Sequence, residues 1–147
     1  MRSDPHVSIK GPAGLSESTD VPAVIAEVAA CVPPFPLQLT SPAMFEAEPI
    51  LYLGVDSPGW WHLHRALVDD IAARTGAEMH PWEISGWIPH ATILRAKPEL
   101  SGQRDEIIEA ATRALAPFPC FQVTMVRMYG QVDPQTRWVS IRDFPLG

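Results

Sequence analysis

Two short stretches of the chain place an imidazole two residues ahead of a hydroxyl: His6-Val7-Ser8 within "PHVS", and His90-Ala91-Thr92 within "PHAT". In an extended backbone, residues i and i+2 point to the same side about 7 Å apart, so each stretch presents a proton-transfer group beside a hydrogen-bond donor. One imidazole can take or give a proton. Two of them, on opposite sides of a bound phosphodiester, can do both in one step, one as general base on the attacking oxygen and one as general acid on the leaving oxygen. The ordinary imidazole pKa of about 6.5 suits that division near neutral pH. Ser8 and Thr92 would donate hydrogen bonds to the non-bridging phosphoryl oxygens as charge builds there. Lys10 falls on the same face as His6 and Ser8 by alternation and would add a positive charge. Further candidates are Tyr129, Arg127, Trp138 and Arg142, which line the cleft or stack on a base if they face it, and otherwise belong to the core or the sheet surface. His62 and His64 sit on a Trp-rich helix face and read as packing or solvent-facing residues; His80 stands beside Pro81 in a loop.

The elements that must position these residues follow from periodicity. "HVSIK" alternates in period two, with His6, Ser8 and Lys10 on one face and Val7 and Ile9 on the other. Asp20 is placed to cap a helix with apolar positions Val21, Val24, Ile25 and Val28 and with Pro22 in its first turn. "PFPLQLT" (34–40) and "ILYLGV" (50–55) read as strands. Ser57-Pro58 signals the start of a helix carrying Trp60, His64, Leu67, Val68 and Ile71, which Gly76 ends. "HATIL" then restarts the pattern as a strand. Ser101 is placed to cap a helix bearing Ile107, Ile108, Ala111 and Leu115, and "PFPCFQVTMVRMY" (117–129) and "RWVSIRDF" (137–144) complete the series as strands.

The two halves agree in spacing as well as in kind, since His6 precedes Phe35 by 29 positions and His90 precedes Phe118 by 28, each Phe within a Pro-Phe-Pro. This is a duplicated unit of strand, helix, strand, strand. A two-fold related pair of such units brings the two polar strand faces together across one cleft, with His6 facing His90. The predicted organisation is one domain over 1–147, with halves at approximately 5–56 and 89–147 and a linking helix at approximately 58–75.

Composition narrows the partners. The length of 147 residues allows one domain with a real core. No stretch approaches the roughly 20 apolar residues of a membrane span, and two cysteines suggest no disulfide framework, so the default setting is cytoplasmic. The net charge of -6, with 11 scattered Lys and Arg, argues against a long nucleic acid and for a small ligand. No recognisable zinc-ligand set accompanies the histidines, and no cofactor is expected.

"PHVSIKGP" and "PHATILR", with the "PFP" strands and the final "FPL", resemble the paired His-x-Thr/Ser-hydrophobic signatures of the 2H phosphoesterase superfamily, the 2'-5' RNA ligase-like proteins. The resemblance runs from Pro5 to Leu146. It implies a bilobal α+β fold with pseudo-two-fold symmetry, built of antiparallel strands flanked by helices around a central cleft. It also implies metal-independent chemistry on phosphodiesters at ribose 2' and 3' positions: hydrolysis of 2',3'-cyclic phosphates, or 2'-5' linkage. By the same resemblance His6 and His90 are the catalytic pair, and Ser8 and Thr92 hold phosphate. Against that pattern the first half is expected to be short, without a strand and helix of the kind that precede His90. An uncovered sheet edge there would invite a homodimer contact. The alternative within the same fold is a non-catalytic module that binds a nucleotide or an RNA end.

Overall fold

The computed structural model describes residues 5–15, 19–97, 102–131 and 138–147. The expected cap at Ser101 and the strand start at Arg137 lie outside these residues. Among the described residues, helices α1 (Val21–Cys31), α2 (Pro58–Thr75) and α3 (Arg104–Leu115) are interspersed with strands β1 (Phe35–Met44), β2 (Ile50–Asp56), β3 (His90–Arg95), β4 (Cys120–Val123), β5 (Met125–Gly130) and β6 (Val139–Pro145), and a π-helical turn spans Trp82–Gly86. The result is a mixed α+β fold with antiparallel strands in the order β3-β2-β1-β4 and a separate β5-β6 hairpin.

Local chemistry sets the helix ends. Ser57 accepts a hydrogen bond from the Trp60 N–H at 3.2 Å, which satisfies one of the unpaired donors that open α2. Gly76 closes α2 with φ of 69°, a left-handed conformation that glycine adopts without steric cost, and its N–H returns to Ala72 O. In α1 Asp20 occupies the capping position with no side-chain cap bond, and Val21, Val24, Ile25, Val28 and Ala29 are buried. Of the two prolines in β1, Pro36 lies ahead of the stretch paired with β2, and Pro42 adjoins the bulge between Leu39 and Pro42.

The stretch 117–129, expected as one strand, is two. Cys120–Val123 pairs with β1, and after Thr124 the chain pairs with β6 in the other sheet. Leu146 N–H donates to Thr124 O at 2.9 Å at that switch. The pairing of β1 with β4 covers four residues, after which each strand diverges to its own hairpin partner.

The register exposes the duplication directly. Leu37 pairs with Phe121, and Val7 bridges antiparallel to Ala91. Both pairs are separated by 84 positions, the separation of His6 from His90. A residue can stand opposite its own repeat counterpart only where a two-fold axis passes between them, so the axis runs through both pairs. At this offset the counterpart of Phe35 is Pro119, so the two Pro-Phe-Pro stretches are one residue out of register and mark the same region without being equivalent.

The halves differ in packing. Valines of α1, Leu37, Leu39 and Leu53 of the sheet, and Trp60, Leu63, Leu67 and Ile71 of α2 form one core that Val126, Phe144 and Leu146 complete. By contrast α3 has no fully buried side chain: Ile107, Ile108 and Ala111 are half-buried, and Leu115 is exposed. The far end of the β5-β6 hairpin is likewise open, with Trp138, Val139 and Ile141 about half exposed.

Candidate active site

His90 and Thr92 lie on β3, whose ladder to β2 sets His90 opposite Gly54 and Thr92 opposite Tyr52. On its other edge β3 receives the first motif through the bridge from Val7 to Ala91. Antiparallel pairing about that bridge sets His6 opposite Thr92 and Ser8 opposite His90, all four on the face opposite Val7 and Ala91. For regular pairing the two histidines are then diagonal neighbours with backbones roughly 7–8 Å apart. Val7 and Ile9 pack on the core, whereas His6 and Ser8 are exposed, so the alternation expected of the first motif holds through Ile9. Of the candidates singled out in the sequence, the pairing about this bridge brings His6, Ser8, His90 and Thr92 to one face.

The two imidazoles have related surroundings. The His90 ring lies 5.0 Å from Phe45 and 5.4 Å from Tyr52, edge-on to both, and Phe45 stacks on Tyr52 at 4.4 Å. Its Nδ1 faces the carbonyl oxygen of Ile88 at 2.7 Å. A carbonyl only accepts, so Nδ1 carries the hydrogen and Nε2 is left for proton exchange with a ligand. The His6 ring lies 6.1 Å from Tyr129. Phe45 and Tyr129 are 84 positions apart, so each histidine has the same partner of the repeat beside it. Tyr129 thus joins the group at the His6 end. Phe45 is a site residue that the sequence reading missed. The signal was present, because the 84-residue offset that relates the histidines also relates Phe45 to Tyr129. Tyr52, half-buried on β2, was likewise not singled out in the sequence.

Arg127 precedes Tyr129 by two on β5 and pairs bidentately with Asp143, Nε to Oδ1 at 2.6 Å and the second nitrogen to Oδ2 at 2.7 Å. Hydrogen bonding to Arg127 holds the Asp143 carboxyl below its ordinary range, and bonding to Asp143 and then Tyr129 holds the Arg127 guanidinium above its own. Arg142 lies over the Phe144 ring at 5.1 Å. Trp138 is 51% exposed.

Lys10 requires a correction. Its ammonium was expected on the cleft face with His6 and Ser8, but it turns inward and donates to Glu83 Oε1 at 2.7 Å, Ala13 O at 2.7 Å and Gly11 O at 3.1 Å. Three donors are thereby used and the side chain is 5% exposed, so none remains for a phosphate. Alternation predicts a face only while a strand is paired, and among the described residues this segment is paired by the one bridge at Val7 before the chain bends at Lys10. His64 is buried and stacked on Trp60 at 4.9 Å, in keeping with its reading as a packing residue; His62 and His80 are exposed.

Among solved structures the fold is similar to that of E. coli LigT complexed with 3'-AMP, at a TM-score of 0.58 and 20% identity over 97% of this chain and 77% of that one. It is also similar to a crystal structure of a phosphoesterase (TM-score 0.57, 20% identity, 97% and 77% covered) and to E. coli LigT complexed with NADP+ (0.56, 20%, 97% and 76%). At these identities the likeness establishes the fold. No curated protein matches the sequence. A profile of the 2'-5' RNA ligase superfamily, however, matches residues 1–134, which include both histidine motifs and the strands that hold them. The chain therefore belongs to the 2'-5' RNA ligase superfamily, the 2H phosphoesterases.

Proposed function

We propose that the protein is a phosphodiesterase that uses His6 and His90, without a metal, on a 2',3'-cyclic phosphate or a related small ribose ester or 2'-5' linkage. The observation that carries this reading is the meeting of the two His-x-Ser/Thr motifs about the axis between Val7 and Ala91. A phosphoryl group seated over that bridge has an imidazole on each side. One histidine takes the proton of the attacking water, and the other gives a proton to the departing ribose oxygen, so one step leaves the pair with protons exchanged. Ser8 and Thr92, also on that face, donate to the non-bridging oxygens, where negative charge grows. Tyr129 borders the His6 end, and Phe45 and Tyr52 border the His90 end, giving apolar surfaces against which a base or ribose can pack. The LigT structures hold 3'-AMP and NADP+, which supports a small nucleotide as the ligand class.

General acid and general base are each typically worth ~10² to 10⁴ in rate. We expect His6→Ala and His90→Ala each to lower kcat on 2',3'-cyclic nucleotides by about that factor, with the fold retained by circular dichroism and with EDTA without effect. The wild type should show a bell-shaped dependence of kcat/KM on pH. Full activity in either variant, or loss of activity in EDTA, would overturn the proposal. Nucleotide binding with no turnover after long incubation would instead identify a non-catalytic module.

A further inference from the structure

The two histidines are held by different means. β3 is tied to β2 through five residue pairs, whereas the first motif has a single bridge. A general acid or base must be held to within about an ångström to be effective. Further contacts to the first motif come from behind it, on α2 and the π-helical turn.

Immediately past Ser8, the Ile9 carbonyl oxygen lies 2.6 Å from His64 Nδ1, and the other ring nitrogen of His64 lies 2.9 Å from the Glu83 carbonyl oxygen. Both contacts are hydrogen bonds only when both ring nitrogens carry hydrogen, since carbonyls only accept. The ring is wedged between Trp60 at 4.9 Å and Trp87 at 5.1 Å. The Glu83 carboxylate then takes the next two residues of the segment, accepting from Gly11 N–H at 2.8 Å and Lys10 Nζ at 2.7 Å through the same oxygen. Its side chain is fully buried, and the second oxygen has no protein partner among the described residues. A buried carboxylate and imidazole thus meet three consecutive residues, Ile9 to Gly11, on a segment with almost no backbone ladder.

We infer that His64 and Glu83, with Lys10 as the receiving group, form a side-chain clamp that positions His6, doing for the first motif what the β2 ladder does for His90. These are positioning residues, acting on the reaction through His6, and the inference rests on the reading of His6 as a proton-transfer group. It turns the Trp-rich helix and the "WEISG" turn from passive packing into part of the working site.

The mildest perturbation is Gly11→Ala, because a Cβ there would stand 2.8 Å from Glu83 Oε1 and 3.0 Å from the Trp82 ring, pushing the carboxylate off the segment without removing a charge. Glu83→Gln is the direct one, and His62→Ala, on the exposed side of α2, is the control. The probes are the His6 and His90 ring signals in two-dimensional proton–carbon NMR, and kcat and KM on 2',3'-cyclic AMP. We expect Gly11→Ala and Glu83→Gln to shift or broaden the His6 signal while leaving that of His90 in place. Each should lower kcat roughly 10- to 100-fold, with KM changed less than about two-fold; His62→Ala should alter neither. An unmoved His6 signal with unchanged kcat in folded Gly11→Ala overturns the clamp, as does a fall in kcat accompanied by equal shifts of both histidines. Should Glu83→Gln fail to fold, Gly11→Ala decides. Should the wild type turn over no cyclic phosphate, the proposed function fails, and the His6 signal alone supports or refutes the clamp.

Discussion

Lys10 and Glu83 make the stability of the first motif measurable, because the pair is almost dry: the side chains are 5% and 0% exposed. Burial of two charges costs several kcal/mol per ion, and their attraction with good hydrogen bonds returns about as much, so the pair as a whole contributes little net stability. Breaking it is different. Lys10→Met leaves the Glu83 carboxylate buried with Gly11 N–H as its remaining donor, and removal of one buried partner typically costs about 3–5 kcal/mol. That is a large share of the ~5–15 kcal/mol that holds a domain together, and at ~2–4 °C per kcal/mol it lowers Tm by roughly 10 °C. The double variant Lys10→Met/Glu83→Leu removes both charges; it leaves Gly11 N–H without the carboxylate and the Gly11 and Ala13 carbonyls without the ammonium, neutral groups whose loss of a partner costs less than an unpaired buried charge. The double variant should therefore be more stable than either single one. Urea denaturation followed by tryptophan fluorescence reads this directly, since Trp60 and Trp87 flank the His64 ring beside the pair. A Lys10→Met loss below about 1 kcal/mol, or a double variant whose loss equals the sum of the two singles, would refute the reasoning.

Other expectations test the frame around the site. Leu37 and Phe121 face one another on the two-fold axis, but Leu37 is 2% exposed and Phe121 44%. Leu37→Ala should cost about 2–5 kcal/mol by urea denaturation, and Phe121→Ala clearly less despite its larger side chain; equal losses would show that place in the repeat, and not burial, decides. Asp143, held below its ordinary pKa by Arg127, contributes stability present above its unfolded value of about 3.9 and lost as pH falls through its lower folded value. Asp143→Asn should therefore lower the urea midpoint at neutral pH, with the difference from wild type shrinking in acid. A difference independent of pH between 2 and 6 would contradict that assignment.

The candidate site was legible in the sequence where one local rule sufficed. His6, Ser8, His90 and Thr92 follow from alternation plus repetition, and α2 was bounded at both ends by Ser57 and Gly76, whose cap geometry is local chemistry. Legibility failed where the answer depended on distant residues. Lys10 obeys its buried carboxylate 73 positions away and not the strand face. The break at Thr124 reflects which neighbour each half of the segment meets, which no property of "FQVTMV" encodes. Glu83 carries no sequence signal at all, since a glutamate in a short polar turn is ordinarily solvated. Phe45 lies between these cases, recoverable once the offset is fixed at 84 and lost when the repeat is aligned on Pro-Phe-Pro.

The axis through Val7 and Ala91 bears on which way round a ligand lies. A half-turn about it exchanges His6 with His90 and Ser8 with Thr92. The core of a phosphodiester, one phosphorus with two non-bridging and two ester oxygens, has that same symmetry. On the proposed function, the four central groups would therefore grip a phosphate in either sense and carry no information about polarity. Direction is left to the places where the halves have diverged: a phenolic hydroxyl on Tyr129 against the plain ring of Phe45, and the Arg127–Asp143 pair on one side against the Phe45–Tyr52 stack on the other. Exchanging Phe45 and Tyr129 would thus alter which end of an asymmetric ester leaves, with the chemistry of the step untouched.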